Sequence, residues 1–342
     1  MKARLWMAVI TIAALISAPF SFAADEKIGI FETIYASSVS FEETISAVDA
    51  ALASSGLVLH ATQDVRVPEG KHQARVYVLT SPSYLDAAKD ESPRTMSAQI
   101  LRLAVYTQGD EQKTYINMAN PVAHAMVFYT DSENYDAMQV AAGKAADEIR
   151  ALVAAVPGEA LSVQQSPMRK EKHYRKYKGD GPAKMMAKFR TYDKSQLLID
   201  EDTADSFDAV VERVSAAITK SEVSEPDTST GWDLVTQIRV SDDAVYLGLT
   251  NPFIEDRMVR INSRHRKDGK SDLSPYPGVD HVAALPTDVL ILKEGDKTLV
   301  LHYGQMWRMQ LYFWDSGYRA FTANMGVPGD IANSIEETIK GE

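Results

Sequence analysis

Apolar residues recur at helical spacing twice in this chain, and each time the same series of shorter patterns follows. The first helix pattern opens at Ser40 and places Phe41, Ile45, Val48 and Leu52 on one face. The second opens at Ser206 and places Phe207, Val211, Val214 and Ile218 the same way. The spacing i, i+4, i+7, i+11 is one stripe of an amphipathic helix. Ser40 and Glu43 form a capping-box pattern, and Gly56 is placed to end that helix. The second copy lacks the Glu, so Asp205 or Ser206 is its expected cap.

The patterns after each helix keep one order. Thr62-Gln63 matches Thr236-Gln237, and Leu79-Thr80-Ser81-Pro82 matches Leu249-Thr250-Asn251-Pro252. The run 103–106 matches 289–292, each followed by a Gly-Asp turn at Gly109 or Gly295. Lys113-Thr114 matches Lys297-Thr298, Phe128-Tyr129 matches Phe313-Trp314, and Met138 and Val140 match Met325 and Val327. Ordered matches of this number predict a duplication. Each copy reads as strand, helix, two strands, a short Pro-started helix, a hairpin, a further strand and a closing helix. The expected class is α+β: two homologous two-layer domains, each with helices on one face of a mainly antiparallel sheet. Duplicated domains are expected to dock as a pseudo-dimer. The boundaries are residues 28–157 and 194–342, with a linker over 158–193.

The first 23 residues have another pattern. Lys2 and Arg4 precede an apolar run over 5–16, and Ser21-Phe22-Ala23 supplies the small residues of a cleavage site. That is a signal peptide, broken by Ser17 and Pro19 before it is long enough to span a bilayer. No twin arginine and no lipid-accepting cysteine accompany it, so Sec-type export to the periplasm or beyond is expected, with no transmembrane segment after cleavage.

Composition narrows the chemistry. The 342 residues contain 36 Lys+Arg against 47 Asp+Glu, a net charge of −11, which argues against general nucleic-acid binding. Cysteine is absent, which excludes disulfides, thiol catalysis and Cys-ligated metal centres. The acidic average conceals residues 168–190, where nine Lys/Arg face two acids. This basic linker reads as a contact for an anionic surface, or more plainly as a solvated connector.

Both copies resemble the domain of unknown function 302 family. The resemblance rests on the first helix leading to Gly56, on Thr250-Asn251-Pro252, on Leu285-Pro286, on the turn Gly295-Asp296, and on Asn117-Met118-Ala119-Asn120-Pro121. The first copy departs with Ser81 and Ile100 where the pattern has Asn and Pro. The second lacks the Asn-Pro after its last hairpin strand. The resemblance implies the two-layer α+β fold and carries no defined activity.

H-E-x-x-H, G-x-S-x-G, G-x-G-x-x-G and the EF-hand loop are all absent. Two constellations remain. Met118 and His124 in the first copy answer His302 and Met309 in the second, one imidazole and one thioether each. Such a set suits copper, while the plainer alternative is core methionine and strand-end histidine. Seven aromatic residues crowd 303–321, of which Tyr303, Trp307, Trp314 and Tyr318 are candidate ligand-binding residues, with Trp307 and Tyr318 expected to reach the surface. Packing between the copies is the competing role for those rings. The leading expectation is a non-enzymatic exported module, without cofactor, that binds a protein partner or a small apolar ligand in a groove between the copies. A copper-binding protein and an enzyme with dispersed polar residues are its rivals.

Overall fold

The repeated runs pair into two separate sheets. The computed structural model describes residues 26–70, 72–109, 111–177, 191–223, 230–265 and 278–341. The expected signal peptide lies outside them, as do residues 178–190 of the basic stretch.

The first unit runs β1 (Lys27–Ser37), α1 (Phe41–Leu52), β2 (Val58–Asp64), β3 (Ala74–Thr80), α2 (Pro82–Ala87), a 3-10 segment Pro93–Gln99, β4 (Leu101–Gln108) and β5 (Lys113–Ala119). Helices α3 (Pro121–Phe128) and α4 (Tyr135–Val153), strand β6 (Gly158–Lys170) and the short α5 (Glu171–Arg175) complete it. The second unit runs β7 (Gln196–Asp202), α6 (Phe207–Lys220), β8 (Asp233–Ser241), β9 (Ala244–Thr250), α7 (Pro252–His265), a 3-10 segment Gly278–Ala284, β10 (Thr287–Glu294) and β11 (Lys297–Tyr303). It closes with α8 (Gln305–Phe313), α9 (Gly317–Ala323) and α10 (Val327–Lys340).

Both sheets are antiparallel, ordered β2-β3-β4-β5-β1-β6 and β7-β11-β10-β9-β8. Read from its other end, the second is β8-β9-β10-β11-β7, which is the order of the first without β6. The α+β class expected from the pattern is the observed one. Among the described residues no helix is long and apolar enough to cross a membrane.

Local chemistry explains most boundaries. Ser40 Oγ accepts from Glu43 N–H while Glu43 Oε2 accepts from Ser40 N–H, so the capping box is closed. Ser206 Oγ caps α6 alone, through Ala209 N–H. Gly109 and Gly295 sit at φ 78° and 64°, the left-handed turn that lets each hairpin reverse. Gly56 plays no such part: α1 ends at Leu52 and its C-cap is Ala53.

Two expectations about elements need correction. The run after each hairpin, 121–128 or 305–313, is a helix rather than a further strand. Asn120 Oδ1 accepts from Val122 and Ala123 N–H, and Pro121 occupies the first turn, where its missing donor costs nothing. All eight residues of α3 are buried, so no amphipathic period marks it in the sequence. Residues 158–170, read as the start of a linker, form β6 along the β1 edge. Ile28 and Arg169 pair there, and Arg169 is 3% exposed.

The two units meet reciprocally. The 3-10 segment Gly278–Ala284, buried at every residue, packs on β3, β4 and β5, while Pro93–Gln99 packs on β9 and β10. Every residue of β9 is buried, so both of its faces are covered. The other unit's segment Pro93–Gln99 supplies part of that cover.

Candidate functional site

At the seam, equivalent strands present opposite charges. Arg102 on β4 and Asp288 on β10 occupy corresponding positions, each one residue before the matched runs 103–106 and 289–292. Arg102 Nη1 lies 3.8 Å from Asp288 Oδ1, with both side chains almost wholly buried. Asp288 Oδ1 also accepts from Tyr246 Oη at 2.7 Å. Arg102 donates to Tyr312 Oη at 2.9 Å and to Ala284 O at 3.3 Å. Burial, reinforced by Arg102 and Arg308, holds His124 well below its usual value, so its imidazole is neutral. Tyr312 Oη donates to that ring's Nε2 at 2.8 Å. These groups bond to one another, as members of a buried polar network must, although the Arg102 Nε–H is left without a partner.

A second buried group sits on Gly278–Ala284. His281 Nδ1 donates to Asp280 Oδ1 at 2.9 Å, and Nε2 donates to Ser166 O at 2.9 Å with Asp315 Oδ2 3.2 Å away. Burial opposes the charge, but Asp315 and Asp280 outweigh it and raise the imidazole to about 9. The ring meets Phe31 of the first unit edge-on at 4.9 Å and stacks on Phe313 at 5.9 Å. His281 is therefore a structural cation in the joint.

The predicted aromatic site is a packed cluster. Tyr303 and Trp307 stack with centroids 5.5 Å apart, and Phe128 of the first unit lies edge-on to both. Trp307 is 3% exposed, contrary to the expectation that it reaches the surface, because Phe128 and Tyr177 close over it. Trp314 is half-buried, and the side chain of Tyr318 lies outside what is described. Where Tyr303 and Trp307 meet the first unit, the rings pack on one another and on Phe128.

The four candidate copper ligands have different surroundings. Met118 lies in β5 opposite Leu103 and Glu32, in the first sheet. His302 lies in β11 of the second sheet, its Nε2 3.4 Å from Glu336 Oε1, and burial lowers its pKa. His124 is engaged with Tyr312 beside the Arg102 cation. Met309 lines an apolar pocket. The sheet registers align Met118 with His302 as expected, since Leu103 pairs with Met118 and Val289 with His302. The caps at Asn120 and Gly304 instead align His124 with Arg308, one residue away from Met309. Among the described residues, no three His, Asp or Glu side chains are grouped to hold a metal ion.

That pocket was not legible in the sequence. It has a volume of about 40 Å³ and lies between α7, α8 and α10 of the second unit. Ile254, Met258, Met309, Phe313 and Ile331 supply apolar walls. Arg257, Arg308 and Gln305 are its polar members, and no carboxylate or imidazole lines it. Its one sequence signal is on α7, where Ile254 and Met258 share a face and Arg257 interrupts it. Compared with family models, curated proteins and solved structures, the chain gives no match.

Proposed function

We propose that the protein is an exported, non-enzymatic binding module that holds a small apolar ligand in the pocket between α7, α8 and α10. The observation that carries this reading is an apolar, half-open pocket that the surrounding side chains leave unfilled. On this proposal, the module consists of two domains of the domain of unknown function 302 family docked as a pseudo-dimer. The common strand order and the reciprocal packing of the two 3-10 segments support the duplication and the docking. The charged and hydrophobic regions of residues 1–23 support export.

Titration with 1-hexanol, followed by amide chemical shifts, tests the pocket. Shifts confined to α7, α8 and α10 are expected, and Met309→Trp, which fills the space, should abolish them. An unresponsive wild-type protein would end the reading. Export is checked separately by intact mass: a mature chain beginning at Ala24 is expected, and an uncleaved chain in the cytoplasm would overturn it.

A further inference from the structure

We infer that the pocket is selective for a small amphipathic anion, an aliphatic carboxylate whose short chain lies against the methionines and whose head meets Arg257 and Arg308. The inference rests on the proposed pocket function and names the ligand class for that site.

Two guanidinium groups and no acid line the pocket. Arg308 is 3% exposed, yet no carboxylate lies within ion-pair distance of it among the described residues. Its Nη groups are committed elsewhere, donating to the backbone at Ala284 O and at Pro286 O (3.0 Å) and to the Thr287 hydroxyl at 3.5 Å. Its Nε–H is buried with no hydrogen-bond partner. The carboxylate acting most strongly on Arg308 is Asp288, which is already engaged by Tyr246 and Arg102. Arg257 on α7 shares one of these features: the residue is half-buried, but its Nε–H is buried and unpartnered, and its guanidinium lies 5.1 Å from the Phe253 ring centroid.

Buried polar donors are almost always satisfied, so two unpaired cationic N–H groups beside one pocket call for an acceptor. A guanidinium favours carboxylate geometry, and charge-assisted bonds outweigh neutral ones. Both arginines line the same pocket, so a carboxylate held there would have two guanidinium groups in its walls. The volume of about 40 Å³ admits roughly three water-sized spheres, so the occupant is a short chain or the end of a longer one. Apolar walls with cations among them exclude an amine and make a neutral alcohol the weaker ligand.

Calorimetric titration of the full mature chain with hexanoate, 1-hexanol and hexylamine tests this. Hexanoate should bind tightest and hexylamine not at all. Arg257→Gln should weaken hexanoate about tenfold while leaving 1-hexanol unchanged, the loss expected for one charge-assisted hydrogen bond. Equal binding of hexanoate and 1-hexanol, or hexanoate binding indifferent to Arg257→Gln, overturns the anion selectivity and leaves the apolar pocket standing. Failure of both ligands overturns the pocket function as well. Should Arg257→Gln fail to fold, the order of the three ligands on the wild-type protein still decides.

Discussion

The two units share a strand order but not the chemistry of equivalent positions, and the difference is sharpest where they touch. Arg102 corresponds to Asp288, and counting back along each strand approach, Thr95 corresponds to His281 and Arg94 to Asp280. Identical residues at such a joint would set like charge against like charge in a buried setting, which is strongly unfavourable. Here the arginine of one strand meets the aspartate of its counterpart. Arg94 likewise finds its acid across the joint, in an ion pair with Glu294. The periphery differs too: β6 covers the β1 edge, whereas the corresponding edge on β7 exposes Leu197 and Leu198. Where these two like folds pack together, complementarity comes from corresponding positions that carry different residues.

The comparison breaks most visibly at Asp288. Asp288→Asn leaves Arg102 and Arg308 buried without the carboxylate between them, and should cost about 3–5 kcal/mol in urea unfolding. Adding Arg102→Met should recover part of that loss. A double variant as unstable as the sum of the two single ones would show that the pair is not coupled.

The next effect comes from His281. Its folded value, about 9, lies above the usual value near 6.5, so its stabilisation is complete below about pH 6.5 and disappears as pH rises through 9. The full contribution is on the order of 3 kcal/mol. Denaturant midpoints of the wild-type protein should fall between pH 6.5 and 9, while His281→Gln should be flatter over that interval. Thr95→Ala, at the matching position of the first unit, should leave the wild-type slope intact. Parallel curves for wild type and His281→Gln would remove the imidazolium from the joint.

The smallest effect lies at the two N-caps. Each cap is worth about 1 kcal/mol, and Ser40 belongs to a reciprocal box whereas Ser206 acts alone. Ser40→Ala should therefore cost a few tenths of a kcal/mol more than Ser206→Ala. The opposite order would mean that the Glu43 contact adds nothing.

Much of the fold was legible because its signals are local. The Ser40–Glu43 box, the hairpin glycines and the prolines that start α2 and α7 act over a few residues each. The elements that were misread lack such a signal. VAHAMVF in α3 is apolar on every side because it is buried on every side, and such a run looks alike as strand or helix. Strand β6 is polar along most of its length, as an edge strand can be, so its pattern resembled a connector. Trp307 was expected at the surface because Arg308 follows it, yet Arg308 is itself buried.

By itself, then, the chain carried its α+β class, its two capped amphipathic helices α1 and α6, and the turns of its hairpins. Each of these rests on periodicity, capping and turn chemistry, which operate between near neighbours. Only the tertiary structure decided the seam and the pocket. Arg102 meets Asp288, and Arg257 on α7, Arg308 on α8 and Ile331 on α10 line one pocket, through the docking of elements far apart in the chain. Whether a buried arginine is paired or left with a free N–H depends on what that docking brings within about 3 Å, and no local pattern encodes it.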